Sequence, residues 1–403
     1  MIYNLKMTYK RLLSAVEYSH HRYIYSDFNI DDKLTGVLGP RGTGKTTMLL
    51  QFIKDRIKDS DSAFYASLDN IYFLRHSLVD FVNELYEYHD VRYFFLDEIH
   101  KYKNWNQELK NIYDSFPDIK IIFSGSSSLD LTKGSYDLSR RGTLFYLNGL
   151  SFREYLRFHD IADLPCVTLQ DIVKDHKTLS EKAGGIKRIR GHFKDYLGRG
   201  YYPFHLEGTD SYHQKIQRIM DKTIYEDISN FYSLKTGNLY NLKLIMSYLA
   251  TIPPGELNRN NIANKAGLDN KTVGHYLDIL NETGLIELIA ENRAGGNILK
   301  RKEKIYLDNC DLYISLSEEI GFGSQYGTLR EIFFIKMLKN SGNKVFYSKT
   351  GDFEVDSILF EIGGRGKSLK QIKDSLQNAF IVKDDIVHGS RYEIPLYLFG
   401  FLY

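Results

Sequence analysis

Cysteine is nearly absent: Cys166 and Cys310 are the only two in 403 residues. They stand far apart, with neither metal-ligand nor redox spacing, so a disulfide framework is excluded and a reducing cytoplasm fits best. No stretch approaches the ~20 apolar residues of a membrane span. The first residues, MIYNLKMTYKRLLSAVEYSHHRY, alternate charged with apolar side chains and lack the continuous apolar core of a signal peptide. Excess charge is missing too. Lys and Arg total 53 against 51 Asp and Glu, a net charge of +2, so any nucleic-acid surface has to be local and no membrane partner is expected. Repeats and low-complexity tracts are absent. What is present is ordinary globular material, 43% hydrophobic and 26% charged, in a chain long enough for two or three domains.

The most informative stretch is Gly39-Pro40-Arg41-Gly42-Thr43-Gly44-Lys45-Thr46. It satisfies G-x-x-x-x-G-K-[ST] at every fixed position and lies between a short apolar strand (34–38) and a helical pattern that starts at Thr46. Glycines let successive backbone N–H groups turn inward as an anion nest, and the following helix adds its unpaired N–H groups and the positive end of its dipole. Lys45 would reach the β- and γ-phosphates of ATP, Thr46 would take a Mg2+ position, and Thr47 completes the binding stretch. The alternative is a glycine-rich turn that merely carries a lysine.

Read in order, the first 150 residues alternate helix and strand. A lead-in helix is expected over 12–25, strands over 62–68, 93–96, 119–123 and 143–147, and helices over 70–88 and 105–113. Such alternation predicts a parallel sheet covered on both faces, with ligands at the carboxyl ends of its strands. The apolar run Tyr93-Phe94-Phe95-Leu96 ends there in Asp97-Glu98. Asp97 would hold Mg2+ together with Thr46, and Glu98 would polarise the attacking water. Ser126, past the neighbouring strand, is placed to sense the γ-phosphate, with a plain turn serine as the alternative. Arg140 and Arg141 are candidates for an arginine finger in cis or from a neighbouring subunit, or else a solvated basic turn. Asp97-Glu98-Ile99-His100 also spells a DExH box, yet no second strand–helix alternation of the helicase type follows residue 150.

From 151 to 251 the pattern is mainly helical, with a basic interlude at Lys187-Arg188-Ile189-Arg190. Pro253-Pro254-Gly255 opens a different unit: short helix (260–266), turn, second helix (271–281), strand (284–289) and a glycine-bearing wing (293–297). This is a winged helix-turn-helix pattern, in which Lys271, Thr272 and His275 would face a major groove of duplex DNA. Arg293 and Lys300-Arg301-Lys302 would lie near phosphates. Packing as a lid is the other reading. The last hundred residues read as helix (329–338), strand (344–347), strand (354–360), helix (369–378) and strand (394–402). In them Glu331, Asp356 and Glu361 are spaced like the acidic set of a PD-(D/E)xK nuclease and could together hold Mg2+. Gly363 stands where the amine belongs, leaving Arg365 or Lys367 as substitutes from the loop.

The stretches GPRGTGKTT, FFLDEIHKYKNW, FSGSSSLDL, LSRRG, LSFREYL, KIYLDN, TLREIFF and FEIGGRGK sample nearly the full length. On them the chain resembles a large group of prokaryotic ATPases that join an AAA-type P-loop domain to a winged helix and a C-terminal nuclease-like domain. The resemblance implies ATP binding and hydrolysis with Mg2+ at Lys45, Thr46, Asp97 and Glu98, and it implies no substrate. The expected architecture is α/β: an AAA-type P-loop domain with a parallel sheet (1–150), a helical lid or linker (151–251), a winged helix (252–300) and a small, inactive nuclease-like α/β domain (301–403). The expected function is a Mg2+-dependent ATPase switch acting on DNA, homo-oligomeric if a finger acts in trans. A non-hydrolysing nucleotide-bound scaffold is the alternative, with a helicase or an ATP-regulated nuclease behind it.

Overall fold

The computed structural model describes residues 2–16, 19–125, 141–208, 210–292, 302–364, 366–367 and 378–403. The chain divides into two compact units, Met1–Gly149 and Leu150–Tyr403.

The first unit is built on five short strands: β1 (Leu34–Leu38), β2 (Ala63–Ser67), β3 (Tyr93–Asp97), β4 (Lys120–Gly125) and β5 (Gly142–Tyr146). They form one parallel sheet in the order β2-β3-β4-β1-β5. Both faces are covered, which is why the strands read as nearly unbroken apolar runs. Side chains alternate between faces with the strand period of two. Phe94, Leu96, Ile121 and Phe123 pack with α3 (Leu78–His89) and α4 (Trp105–Ser115). Phe95, Ile122 and Tyr65 pack on the other side with Met48, Leu49, Phe52 and Ile53 of α2 (Lys45–Arg56).

The N-terminal helix differs from expectation. It is α1 (Ile2–Ala15), which buries Ile2, Leu5 and Tyr9, and it ends before the segment that carries Arg22. The expected helix over 70–88 is likewise divided: a short 3-10 turn at Ile71–Leu74 precedes α3, whose N-cap Ser77 accepts from the Asp80 N–H. A capping serine there starts a new helix because it satisfies an otherwise orphaned donor.

In the second unit, helices run from Phe152–Phe158 to Thr236–Thr251. Helices Arg259–Ala266 and Asn270–Glu282 follow, joined through Gly267 in the left-handed region (φ 66°). The antiparallel pair β6 (Ile286–Ala290) and β7 (Glu303–Leu307) comes next. The final sheet, in the order β12-β11-β10-β9-β8, consists of β8 (Phe346–Tyr347), β9 (Phe353–Val355), β10 (Ile358–Gly363), β11 (Ala379–Lys383) and β12 (Glu393–Pro395). It is mixed: β8, β9 and β10 are antiparallel, and β10, β11 and β12 parallel. The strand expected over 354–360 is in fact a hairpin that turns at Asp356-Ser357, both with positive φ (50° and 63°). A two-residue loop of that kind matches the twist of its flanking strands, and aspartate tolerates the left-handed conformation. Strand β11 was not anticipated. The strand expected over 394–402 is β12 followed by a 3-10 turn, Leu396–Phe401. The helix expected over 369–378 lies almost wholly outside the described residues.

Candidate functional site

The loop between β1 and α2 has the backbone its glycines permit. Gly39, Gly42 and Gly44 take φ values of 150°, 79° and 92°. A Cβ on Gly39 would stand 2.1 Å from the Leu147 carbonyl oxygen, so no other residue fits there. Gly44 is the N-cap of α2 and supplies no side-chain cap, leaving the first-turn N–H groups available to an anion. The Lys45 Nζ donates to the Gly39 and Pro40 carbonyls at 2.8 and 2.9 Å, a fold-back along the loop. Thr43 is fully buried and donates its hydroxyl to the Pro40 carbonyl at 2.9 Å, which closes the loop on itself. Arg41 is half-buried and Thr47 exposed.

At the carboxyl end of β3 the structure brings Asp97 to this loop. The Thr46 Oγ1 donates to Asp97 Oδ2 at 2.5 Å, and the Tyr65 hydroxyl donates to the same oxygen at 2.7 Å. Asp97 Oδ1 accepts from the Ser124 hydroxyl and from the Glu98 N–H (3.2 Å). Asp97 is 2% exposed. Burial, reinforced by the Asp97 carboxylate, pushes the Tyr65 phenol far above its ordinary value, so it remains a donor. An all-oxygen pair, the Thr46 hydroxyl and a carboxylate, beside an anion-binding loop fits the preferences of Mg2+. Glu98 follows in the left-handed region (φ 52°), with Oε2 3.3 Å from His100 Nε2.

The sequence reading gives no role to three residues of this assembly. Ser124 has a visible signal, because it is the first polar residue after the apolar run of β4, the strand beside β3. Tyr65 sits mid-strand in β2 among apolar neighbours and shares a face with Phe95 and Asp97. Arg22 has no local signal at all. It is 5% exposed and donates to the carbonyls of Thr43, Asn148 (2.7 Å) and Gly149 (3.0 Å), bracing the phosphate loop against the segment after β5.

Arg141 stands apart from the loop of its own chain. It immediately precedes β5, whose first residue pairs with Leu34, whereas the loop leaves β1 after Leu38 at the opposite end of the strands. Its guanidinium bonds Asp114 Oδ1 at 2.6 Å and lies over the Tyr113 ring, so it takes no part in the phosphate site of its own chain. Ser126 and Arg140 lie outside the described residues.

The C-terminal acidic set is also regrouped. Asp356 is exposed at the hairpin tip and does not join Glu361. Asp352 lies there instead, its Oδ2 accepting the Ile362 N–H at 2.7 Å. Glu361 is 2% exposed and carries Lys367 Nζ at 2.5 Å from Oε1. Gly363 provides the room: a Cβ on it would meet the Lys367 stem at 2.7–2.9 Å. Burial raises the Glu361 carboxyl, opposed by the bonded Lys367; burial likewise raises Glu331, which accepts from the Tyr306 hydroxyl at 2.7 Å. Among the described residues no group of three or more His, Cys, Asp or Glu side chains could hold a metal ion.

On the helix-turn-helix, Lys271, His275 and Asp278 are exposed, while the Thr272 hydroxyl is bonded to Asp269 Oδ2 at 2.6 Å. Lys302 pairs with Glu256. Arg293, Lys300, Arg301 and Arg365 lie outside the described residues. No helix among the described residues is long and apolar enough to cross a membrane.

A family model described as an AAA domain matches residues 31–156, and one for a domain of unknown function matches residues 190–320. An uncharacterised protein of Methanocaldococcus jannaschii is 26% identical over 93% of this chain and 85% of its own length. A second from the same organism is 24% identical, covering 85% of this chain and 75% of its own. Similar solved structures include the replication initiator DnaA bound to AMPPCP and single-stranded DNA (TM-score 0.29, 16% identity, 68% of this chain and 86% of that one). Another is C. elegans PCH-2 (TM-score 0.26, 14% identity, 67% of this chain and 68% of that one). The family model and the five-stranded parallel sheet, rather than these structures, carry the conclusion that the first unit has an AAA-type P-loop fold.

Proposed function

We propose that the protein is a Mg2+-dependent ATPase whose nucleotide cycle switches the modules of its second unit on duplex DNA. The single observation that carries the ATPase reading is the Thr46–Asp97 bond at 2.5 Å, which joins the phosphate loop to the strand end that bears Glu98. The loop N–H groups and Lys45 would hold the triphosphate, with the Lys45 amine exchanging the Gly39 and Pro40 carbonyls for phosphate oxygens. Thr46 and Asp97 would hold Mg2+, which when bound neutralises charge on the β- and γ-phosphates. Glu98, a carboxylate beside this pair that is not used to anchor it, would accept the proton of the attacking water. Its approach to His100 leaves it within the site and partly exposed, at 22%.

The two helices joined through Gly267, followed by β6 and β7, support a winged helix, and exposed Lys271 and His275 support its reading of DNA. The nuclease-like module is proposed to be inactive, since its acidic set lacks Asp356 and forms no three-carboxylate metal group among the described residues. Lys367 beside Glu361 favours a second reading, a working ATP-regulated nuclease. Cytoplasmic location, and assembly into a homo-oligomer that brings an arginine to a neighbour's site, complete the proposal. Phosphate release from Mg-ATP, measured with and without duplex DNA, tests it: turnover stimulated by DNA is expected. ATP binding without phosphate release would leave the scaffold reading.

A further inference from the structure

We infer that Tyr65 is a positioning residue for the metal half of this site, setting the orientation of Asp97 through its hydroxyl. The inference rests on the ATPase reading above and adds to it a residue that no motif contains.

A carboxylate offers about four acceptor positions. In Asp97 protein donors reach both oxygens: Thr46 and Tyr65 on Oδ2, and Ser124 with the Glu98 N–H, which it shares with the Ser124 hydroxyl oxygen, on Oδ1. The side chain is 2% exposed, so water supplies no substitute for a lost donor. The four donors come from α2, β2, β4 and the chain just after β3, which fixes the carboxylate plane from every side. Of these, Thr46 and Glu98 have roles of their own in the proposed reaction. Ser124 holds the oxygen turned away from Thr46. Tyr65 shares the Thr46-facing oxygen, its hydroxyl lying also within reach of the Thr46 hydroxyl, and it reaches Asp97 because Tyr65, Phe95 and Asp97 lie on the face of the sheet that α2 covers. Its ring is held in that core, 5% exposed, so the hydroxyl is delivered from a rigid base. Without it, Oδ2 keeps one donor and the carboxylate is held less firmly in the position where Thr46 and a cation need it.

Tyr65→Phe removes only the oxygen and keeps the packing. Calorimetric titration of the full chain with ADP, in EDTA and in saturating Mg2+, reads the effect without relying on turnover. In EDTA the variant is expected to match wild type within about twofold, whereas the tightening produced by Mg2+ is expected to shrink about tenfold, the scale of one lost hydrogen bond to a charged acceptor. The Mg2+ concentration that half-saturates turnover should rise by a similar factor. In an Asp97→Asn background the added Tyr65→Phe change should cost much less than it does in wild type, since the hydroxyl acts mainly through that carboxylate. Equal losses in EDTA and in Mg2+ would mean a merely structural tyrosine and overturn the inference, as would a Mg2+ effect that survives intact in Tyr65→Phe. A wild-type chain with no Mg2+ effect would overturn both this inference and the ATPase reading.

Discussion

The Thr46 hydroxyl lies 2.5 Å from Asp97 Oδ2, although the two residues are 51 positions apart in the chain. One belongs to the first turn of a helix and the other to the last position of a strand two places away in the sheet. The phosphate loop and the acidic strand end are thus already coupled, and the roles proposed for Lys45 and Glu98 separate cleanly. Lys45→Ala should lose tight ATP binding because the charge facing the phosphates has gone. Glu98→Gln should bind ATP as wild type does and lose turnover by about a hundredfold or more, because its carboxylate acts only on the water. Equilibrium binding and phosphate release on both variants decide this. Wild-type turnover in Glu98→Gln excludes Glu98 as the base.

Arg22 should matter to the loop as much as any loop residue. Its guanidinium satisfies three carbonyls in a buried site, and Arg22→Ala leaves those oxygens without it. Unfolding of the variant is expected to show a loss of about 2–3 kcal/mol, the scale of charge-assisted bonds to buried acceptors. Nucleotide affinity should weaken along with it. Arg22→Lys, a point charge unable to fork toward three acceptors, should recover only part.

Two buried groups in the second unit impose opposite pH dependences. Burial raises the Asp311 carboxyl from 3.8 to about 6, so its contribution to stability is present at low pH and is lost as pH rises through about 6. Burial lowers His205 from 6.5 to about 4; its contribution is present above 6.5 and is lost as pH falls toward 4. His205 donates from Nδ1 to the Tyr202 carbonyl (2.8 Å) and accepts from His159 Nε2 at 2.8 Å, an arrangement that requires the His205 ring neutral. Each shift corresponds to at most about 3 kcal/mol, and between pH 4 and 6 they oppose each other. Denaturant unfolding should therefore show stability rising with pH across this window in Asp311→Asn and falling in His205→Gln. Parallel slopes in the two variants would contradict these assignments.

Glu361 and Lys367 should behave as a coupled pair. Lys367→Ala strands a buried carboxylate, whereas the double variant Glu361→Gln/Lys367→Ala removes that charge as well. The single variant is expected to be less stable than the double by about 1–2 kcal/mol, discounted because Lys367 is 32% exposed. The same purified chain is expected not to cut DNA with Mg2+ or Mn2+. Cleavage that vanishes in Glu361→Ala but survives in Lys45→Ala would establish the nuclease reading instead.

DNA binding by the helix-turn-helix carries a salt signature. Duplex affinity should fall by close to one power of salt concentration per phosphate contacted, and Lys271→Ala should weaken it. Fluorescence anisotropy across a salt series measures both. Absence of binding even at low salt would favour packing as a lid.

Much of the first unit was legible from the chain alone because its cues are local. G-x-x-x-x-G-K-T needs its glycines for the backbone itself, as the 2.1 Å clash at Gly39 shows, and β3 announces its end by passing from Leu96 to Asp97. The alternation of short apolar strands with helical patterns determined the parallel sheet, since strands buried on both faces must be apolar throughout. Tertiary structure decided whatever depends on which strands become neighbours or which way a turn is taken. Arg22 ties the loop, 21 residues on, to Asn148 and Gly149, more than a hundred residues away, and Arg141 was carried to the opposite end of the strands by the direction of β5. Asp356 was turned out, and Asp352 brought in, by a two-residue hairpin inside what reads as one strand. Local backbone preference is written in neighbouring residues and can be read there. The partners of a buried charge are selected by packing of the whole unit, and no short stretch of sequence holds that information.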